Sequence, residues 1–538
     1  MFYHTAKTLR LKQIFYRLYY RLHRVKKFTA SGFVRRGSFY LVPPPQWGPS
    51  RFLENGEFNF MGIQGPVAWG NTTLPKIWLY NLHYLEHLAS SSKVSAKADG
   101  LLIDSWIQSN PPFAGVGWEP YPLSLRIVNL IKWFQRQTTC KAEWLESLAL
   151  QTHALSQQVE YHILANHLFV NGKALIFAGS FLEGVHADRW QAQGLKIMDA
   201  EITEQFLADG AHFELSPMYH AALLWDMCDL VNLALHVPQA PLSARLASWQ
   251  HVIMRGIAWL RSVQHPDGRI PFFNDAAFGI SPTLSDLEGY AGQLGCLPPS
   301  KAPEALPVSV NCHTESGYGV IDLGDGCKAL VNFAQIAPVY QPGHSHADTL
   351  SYELSLFGHR VFVNSGTSQY GEDSERNRQR STAAHNTVEI DGENSSEVWA
   401  GFRVARRARA VLEEVVAEPD MVRIRCHHDG YRRLQGKNLH MREWEAKVGS
   451  LKVTDRLTGT FGQATARLFT HPKVAVIQDG ELLLATLPGG EVVRIVIQGA
   501  SHVEVVASTW HPEFGLSVPN KCITASFSAN TIITTIAW

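Results

Sequence analysis

"LPPSKAPEALP", residues Leu297–Pro307, separates two parts of a 538-residue chain that follow different hydrophobic periods. Proline neither continues a helix nor donates to a sheet ladder, so this proline-rich stretch reads as a boundary. Before it, from about residue 75 to 300, segments such as "PKIWLYNLHYLEHLA", "PLSLRIVNLIKWFQRQ", "YHAALLWDMCDLVNLALHV" and "LASWQHVIMRGIAWLRSVQ" place apolar residues at i, i+3, i+4 and i+7. That is the period of helices with one buried stripe. Many such helices joined by short Gly, Pro or Ser breaks must bury their stripes on one another, and helical hairpins curled into an incomplete α/α toroid do so in this length. After the boundary come short strand-like runs, among them "KALVNFA", "RVFVNSG", "MVRIRC", "EVVRIVIQG" and "TIITTIAW". Their spacing and Gly/Asn/Asp turns predict stacked antiparallel sheets. The expected architecture is an α/α toroid followed by an antiparallel β-sandwich, with residues 1–70 a lead-in segment, 71–303 the toroid and 304–538 the sandwich.

The totals narrow the function. Lys+Arg and Asp+Glu are both 48, so the chain carries no net charge with His neutral. That excludes a dedicated nucleic-acid binder. Twenty-four histidines and 15 tryptophans suit polar ring-shaped ligands such as sugars. The seven cysteines are scattered and form no CxxC, which predicts neither a disulfide framework nor a cysteine zinc site. No stretch approaches the ~20 apolar residues of a membrane span, and the start shows no signal-peptide h-region. Instead "LRLKQIFYRLYYRLHRVKKF" combines helically spaced Leu11, Ile14, Phe15, Leu18, Leu22 and Val25 with a run of cations, and no acid precedes Glu54. Two readings stand: peripheral contact with an anionic membrane surface, or a basic helix docked on its own protein.

Four clusters carry groups suited to chemistry. In "NPPFAGVGWEPYPLSLR", Gly and Pro shape a loop that presents Trp118, Glu119 and Tyr121, with Arg126 one turn into the next helix. These suit an anionic sugar through ring stacking and carboxylate binding, or equally a loop packed on its own core. In "EYHILANHLFVNGKALIFAG", Asn166 and His167 interrupt an apolar run, with His162 expected on the same helix face as Asn166. Buried, such groups need partners, in an interhelical network or a site. In "ADGAHFELSPMYH", Ser216 and Pro217 read as N-cap and first helical residue. That places Tyr219 in the first turn, where the helix dipole can lower a phenol pKa. "GHSHADTLSYEL" puts His344, His346 and Asp348 before a strand whose alternation predicts one buried face. With Asn364 and His385 on neighbouring strand ends, an imidazole cluster is a possible zinc site.

Taken in order, "ANHLFVNGKALIFAG", "DGAHFELSPMYH", "GHSHADTLSYEL" and "AAHNTVEIDG" resemble the signature segments of the heparinase II/III-type polysaccharide lyases. The resemblance spans roughly residues 75 to 400. It implies the toroid-plus-sandwich fold, an active site between the two parts, and β-elimination at 4-linked uronic acids of an acidic polysaccharide. It implies that Asn166 and His344 neutralise the uronate carboxylate, that Tyr219 is acid and base, and that His167 is its partner base. It gives Arg126 as a carboxylate clamp, with Trp118, Glu119, Tyr121 and Glu214 at the substrate. Some members bind structural zinc, and the matching positions here are His346, Asn364 and His385. Asn364 stands where those members have aspartate, and a neutral amide oxygen is a poor zinc ligand. The family places such enzymes in the bacterial periplasm or envelope; the basic start instead fits a cytoplasmic or membrane-peripheral protein. Two other readings are a toroid glycoside hydrolase, with Glu119, Glu214 and Asp275 as candidate carboxylates, and a non-catalytic polysaccharide-binding protein in surface polymer assembly.

Overall fold

The computed structural model describes the chain except residues 38, 49–50, 54–55, 72, 90–95 and 300–306. The expected boundary at 303/304 lies outside the described residues. Upstream of it the structure is helical, from Lys76–Tyr84 to Leu284–Gln293, and downstream it is built of strands, from Ser309–His313 to Thr531–Ala537.

The helices form because their apolar spacing gives each a face to bury. In Pro120–Phe134, two prolines occupy the first turn, where a missing N–H costs nothing, and Leu123, Ile127, Leu130, Ile131 and Phe134 enter the core. Ala165–Phe181 is apolar almost all round and lies buried within the helical part. It approaches Val185–Gln205 so closely that a Cβ at Gly194 would stand 2.6 Å from the Gly172 carbonyl. Its first turn corrects one expectation: the helix begins at Ala165, so His162 lies in the preceding turn and shares no helix face with Asn166. The Ser216 cap forms as expected, its hydroxyl accepting the Tyr219 N–H at 3.2 Å.

The strand part is a sandwich of antiparallel sheets. An eight-stranded sheet runs in the order Ala410–Ala417, Met421–His428, His440–Lys447, Ser450–Leu457, Thr531–Ala537, Val492–Gln498, Leu482–Thr486 and Ala475–Asp479. Facing it are a five-stranded meander, Ser309–His313 through His359–Phe362, and a four-stranded sheet that includes Val388–Ile390. A Phe362–Thr470 bridge joins these two. Ile321, Leu354 and Val361 meet Ile424, Trp444, Ile495 and Ile536 in the shared core.

Strand Tyr352–Leu356 is buried on both faces, not on one as its alternation predicts. Its polar face packs on the end of the helical part. Glu353 accepts the Phe272 N–H at 2.8 Å and lies 2.8 Å from His265 Nε2, while Ser355 Oγ meets His265 Nδ1 at 2.8 Å. Polar side chains can be buried at such a seam because each finds a partner there.

The N-terminal segment wraps both parts. Arg35 pairs with Leu182, and Val42 exchanges hydrogen bonds with the Asn232 amide. Helix Leu11–Leu22 sits against the turn at Val159–Ile163. No helix among the described residues is long and apolar enough to cross a membrane.

Candidate functional site

A cleft of about 1140 Å³ opens between the helical and strand parts. Asn166 and His167 reach it from the start of their helix, Tyr219 from the first turn of Pro217–His236, and His344 from the loop before Tyr352–Leu356. Tyr121, Tyr370 and Phe402 are among the aromatic rings that line it.

The Asn166 side-chain amide donates to Glu214 Oε1 and Oε2 at 2.9 and 3.1 Å, and its backbone N–H donates to the same carboxylate at 3.0 Å. Glu214 is buried and lies 3.5 Å from His344 Nε2. The other imidazole nitrogen, Nδ1, lies 2.9 Å from Asp275 Oδ2. His344 is thus held between two carboxylates, with its ring 4.0 Å from that of Tyr219. Tyr219 Oη lies 3.0 Å from Tyr370 Oη. Backbone strain collects here: Leu164, Ala165, Leu215 and Asn274, each within two residues of a site residue, all have φ between +54° and +70°. Non-glycine residues in that region cost on the order of 1–3 kcal/mol each, and they persist where the surroundings over-determine them.

Asp275 organises the strand side. Its carboxylate takes a bidentate contact from Arg376, whose Nη2 donates at 2.7 Å, and it also meets His344, His346 Nε2 at 2.8 Å and Thr367 Oγ1 at 3.3 Å. Burial alone would raise its pKa; Arg376 and the two imidazoles outweigh that and hold it well below the usual carboxylate range.

Protonation departs from expectation at Tyr219. Burial, then the neighbouring Tyr370, push its phenol well above the usual range, so the dipole-lowered pKa expected from the helix start is corrected. The reason is tertiary: the ring is enclosed at the floor of the cleft, and Ser216 already caps the N–H of this turn. At His167, burial lowers the pKa, but the Glu160 carboxylate 3.0 Å from Nδ1 more than reverses this, and the net shift is upward.

The expected sugar-binding loop divides. Tyr121 lines the cleft, 4.6 Å from the His167 ring. Arg126 does not: it is fully buried and cannot clamp a substrate carboxylate. Its three guanidinium nitrogens are used on Gln151 Oε1, His83 O and Gly117 O at 2.8, 2.9 and 2.7 Å, and it stacks on Trp106. Trp118 likewise packs into the core against Trp106 and Phe113. Glu119 stands behind the rim, accepting from Tyr80 and pairing with Lys76 at 2.9 Å. Tyr370, Arg376 and Glu160 belong to the site but were not singled out in the sequence. Arg376 comes from the helix Ser374–Arg380, where it and Arg380 are buried despite the polar sequence.

His346 and His385 come together, rings 5.3 Å apart, behind Asp275. His346 Nδ1, both His385 nitrogens and Asn364 Nδ2 are buried without partners among the described residues, while Asn364 Oδ1 accepts the Asn386 N–H. This set does not fit zinc. It offers two imidazoles and an amide oxygen already in use; the adjacent carboxylate is neutralised by Arg376. Asp348 is turned to the Asn274 N–H. Among the described residues no three His, Cys, Asp or Glu side chains converge as a metal site does.

Comparison with known proteins agrees with this architecture. The family models "Heparinase II/III N-terminus" and "Heparinase II/III-like, C-terminal" match residues 89–291 and 310–538. The chain belongs to the heparinase II/III-like family. Among curated proteins it is similar to heparin-sulfate lyases of Bacteroides stercoris, 26% identical over 328 residues (56% of this chain, 48% of that one), and of Pedobacter heparinus, 28% identical over 323 residues (53% and 45%). The chain therefore matches about half the length of these relatives. A crystal structure of heparinase III shares the fold, with a TM-score of 0.67 at 16% identity, covering 98% of this chain and 89% of that one. A mutant heparan sulfate lyase from Pedobacter heparinus gives 0.59 at 16% identity, covering 90% and 81%.

Proposed function

We propose that this protein is a polysaccharide lyase that cleaves a uronic-acid-containing polysaccharide by β-elimination. The observation that carries the reading is the convergence of a protonated phenol, an amide and a carboxylate-held imidazole in the cleft: Tyr219, Asn166 and His344. Removing the C5 proton of a uronate builds a second negative charge on its carboxylate group. Preorganised donors must stabilise that charge, a base must take the proton, and an acid must protonate O4. Asn166, oriented by Glu214, and His344, oriented by Asp275, supply the donors. Tyr219 keeps its proton at neutral pH and delivers it to the leaving oxygen. His167, next to Asn166 and with its ring beside Tyr121, takes the C5 proton in its neutral form.

A glycosidase would need two carboxylates free to act. Here Asp275 is saturated by Arg376 and two histidines, and Glu214 by the Asn166 amide. The test is a screen of the purified protein on uronate polymers, following the ultraviolet absorbance of the unsaturated product. A carboxyl-reduced polymer should be inert; its cleavage without that absorbance would establish the hydrolase instead.

The cleft also bears on which polymer. Each of its lysines is matched: Lys76 by Glu119, Lys132 by Asp229 at 2.7 Å, and Lys173 by Asp226 and Asp229 at 2.5 Å each. Arg51 donates to the Gly279 carbonyl. Densely sulfated chains call for several unmatched cations, whereas Arg51 is a single guanidinium held by a carbonyl, so the substrate proposed carries its charge mainly on carboxylates. Chemically desulfated polymer should be cleaved faster than its sulfated parent.

Asn166→Ala should lower kcat by about 10²–10³, the usual loss for one oxyanion donor, and should also lower the melting temperature, because buried Glu214 loses two of its hydrogen bonds. A second test concerns pH. Because Glu160 raises the His167 pKa, Glu160→Gln should lower it, and the acidic limb of the kcat/KM profile should move to lower pH. A limb that stays in place would remove His167 as the base. Finally, elemental analysis should find only substoichiometric zinc in the wild type, and Asn364→Asp should raise it by adding the missing carboxylate.

A further inference from the structure

Helix Leu11–Leu22 docks on the protein with the face that its sequence would assign to solvent. Gln13 is buried, its amide donating to the Ile163 and Tyr340 carbonyls at 3.3 and 3.4 Å. Tyr20 Oη donates to Val159 O at 2.5 Å, and Tyr16 packs on Tyr161 with ring centres 4.7 Å apart. The preceding turn reaches the strand part, where Thr5 Oγ1 accepts from Trp399 Nε1 at 3.2 Å and Thr8 Oγ1 from Arg407 at 3.2 Å.

The opposite face is apolar and open. Leu11, Phe15, Leu18 and Leu22, at i, i+4, i+7 and i+11, form one stripe and are 84%, 60%, 58% and 88% exposed. Ile14 and Tyr19, on the same helix, are 42% and 41% exposed, and Phe2 and Tyr3 are exposed earlier in the chain. A contiguous apolar stripe of this kind marks a surface that something covers. Around it Arg17, Arg21, Arg24, Lys26 and Lys27 are exposed and pair with no carboxylate among the described residues. Arg10 is the exception, bound to Glu204.

We infer that this face is a docking surface for an anionic lipid bilayer. An apolar stripe with interfacial aromatics, flanked by cations, is the pattern of a helix lying in a headgroup layer, and each basic residue near such a surface adds about 1 kcal/mol of attraction. A second copy of the chain fits less well, because a two-fold contact through this face sets the same cations against one another. Docking by the polar face leaves the helix folded before it meets the bilayer, and its foothold on both parts fixes the orientation of the cleft above the surface.

The test is sedimentation of the full chain with vesicles of phosphatidylcholine alone or with phosphatidylglycerol added. Binding is expected only to the anionic vesicles, to weaken in high salt, and to fall at least about ten-fold in Phe15→Ser/Leu18→Ser/Leu22→Ser. These side chains are solvent-facing, so the melting temperature should not change. Arg17→Gln/Arg21→Gln/Arg24→Gln should weaken anionic binding without touching the apolar stripe. The inference is overturned if the wild type stays in the supernatant, if the serine variant sediments as well as the wild type, or if the wild type forms a lipid-free dimer that the serine variant dissolves.

Discussion

Tyr219→Phe should abolish turnover while leaving substrate affinity nearly intact. The substitution removes one oxygen from the floor of the cleft and keeps the ring that stacks 4.0 Å from His344. The phenol is needed only as protons move, so the loss belongs in kcat and not in binding. Loss of a general acid typically costs about 10²–10⁴-fold. Burial keeps the phenol protonated at neutral pH, so Tyr219 enters the reaction already holding the proton that the leaving oxygen needs. Tyr370→Phe serves as the comparison: it removes the hydroxyl partner at 3.0 Å but not the donor, and should cost less. Near-normal kcat in Tyr219→Phe on a confirmed substrate would end the assignment.

Asp275→Asn should cost both stability and activity. The asparagine fits the space but leaves Arg376, itself fully buried, without its counter-charge. Breaking one side of a buried ion pair typically costs about 3–5 kcal/mol, which urea denaturation would read directly. The pH dependence follows from the sign of the shift. Asp275 has a depressed pKa in the folded chain, so its contribution is present above the unfolded value of about 3.9 and is lost as pH falls through the folded value. The gap between wild type and variant should therefore narrow on acidification below about pH 4. In activity, His344 loses the acceptor that orients its Nδ1, so kcat should fall as well. A variant as stable as the wild type at neutral pH would show that Arg376 finds another partner.

The sequence was most legible where local pattern decides structure. Helical spacing located the toroid helices, the Ser216–Pro217 start was read from two residues, and strand runs such as "MVRIRC" fell on strands. The errors share a cause, which is that direction and partners are set by distant residues. Trp118 and Arg126 are the right chemical types for a sugar site, yet the helix phase aims Arg126 at Trp106 and the core. The alternation in Tyr352–Leu356 was real, but nothing local shows that His265, 88 residues away from Glu353, waits on the polar face. Tyr219 was placed in its helix turn, while the direction of its pKa depends on enclosure by Tyr370 and the strand part. Arg376 was invisible, because a short polar helix looks the same whether it faces water or a buried aspartate.

Asp275 sits on the tail of the helical part, and what completes its surroundings comes from far along the chain. Gly366 pairs with His511, Phe278 pairs with Glu513, the Gly515 N–H donates to Ser368 O at 2.8 Å, and Phe514 lines the cleft. Synthesis has therefore passed Gly515 before the walls around Tyr219 and His344 can close. Asn166, His167 and Tyr219 emerge hundreds of residues earlier, in a helical array that has the amide, the phenol and one imidazole but not His344 or the strand-part side of the cleft. Chains that stop short of this segment should lack a closed cleft, whatever its substrate.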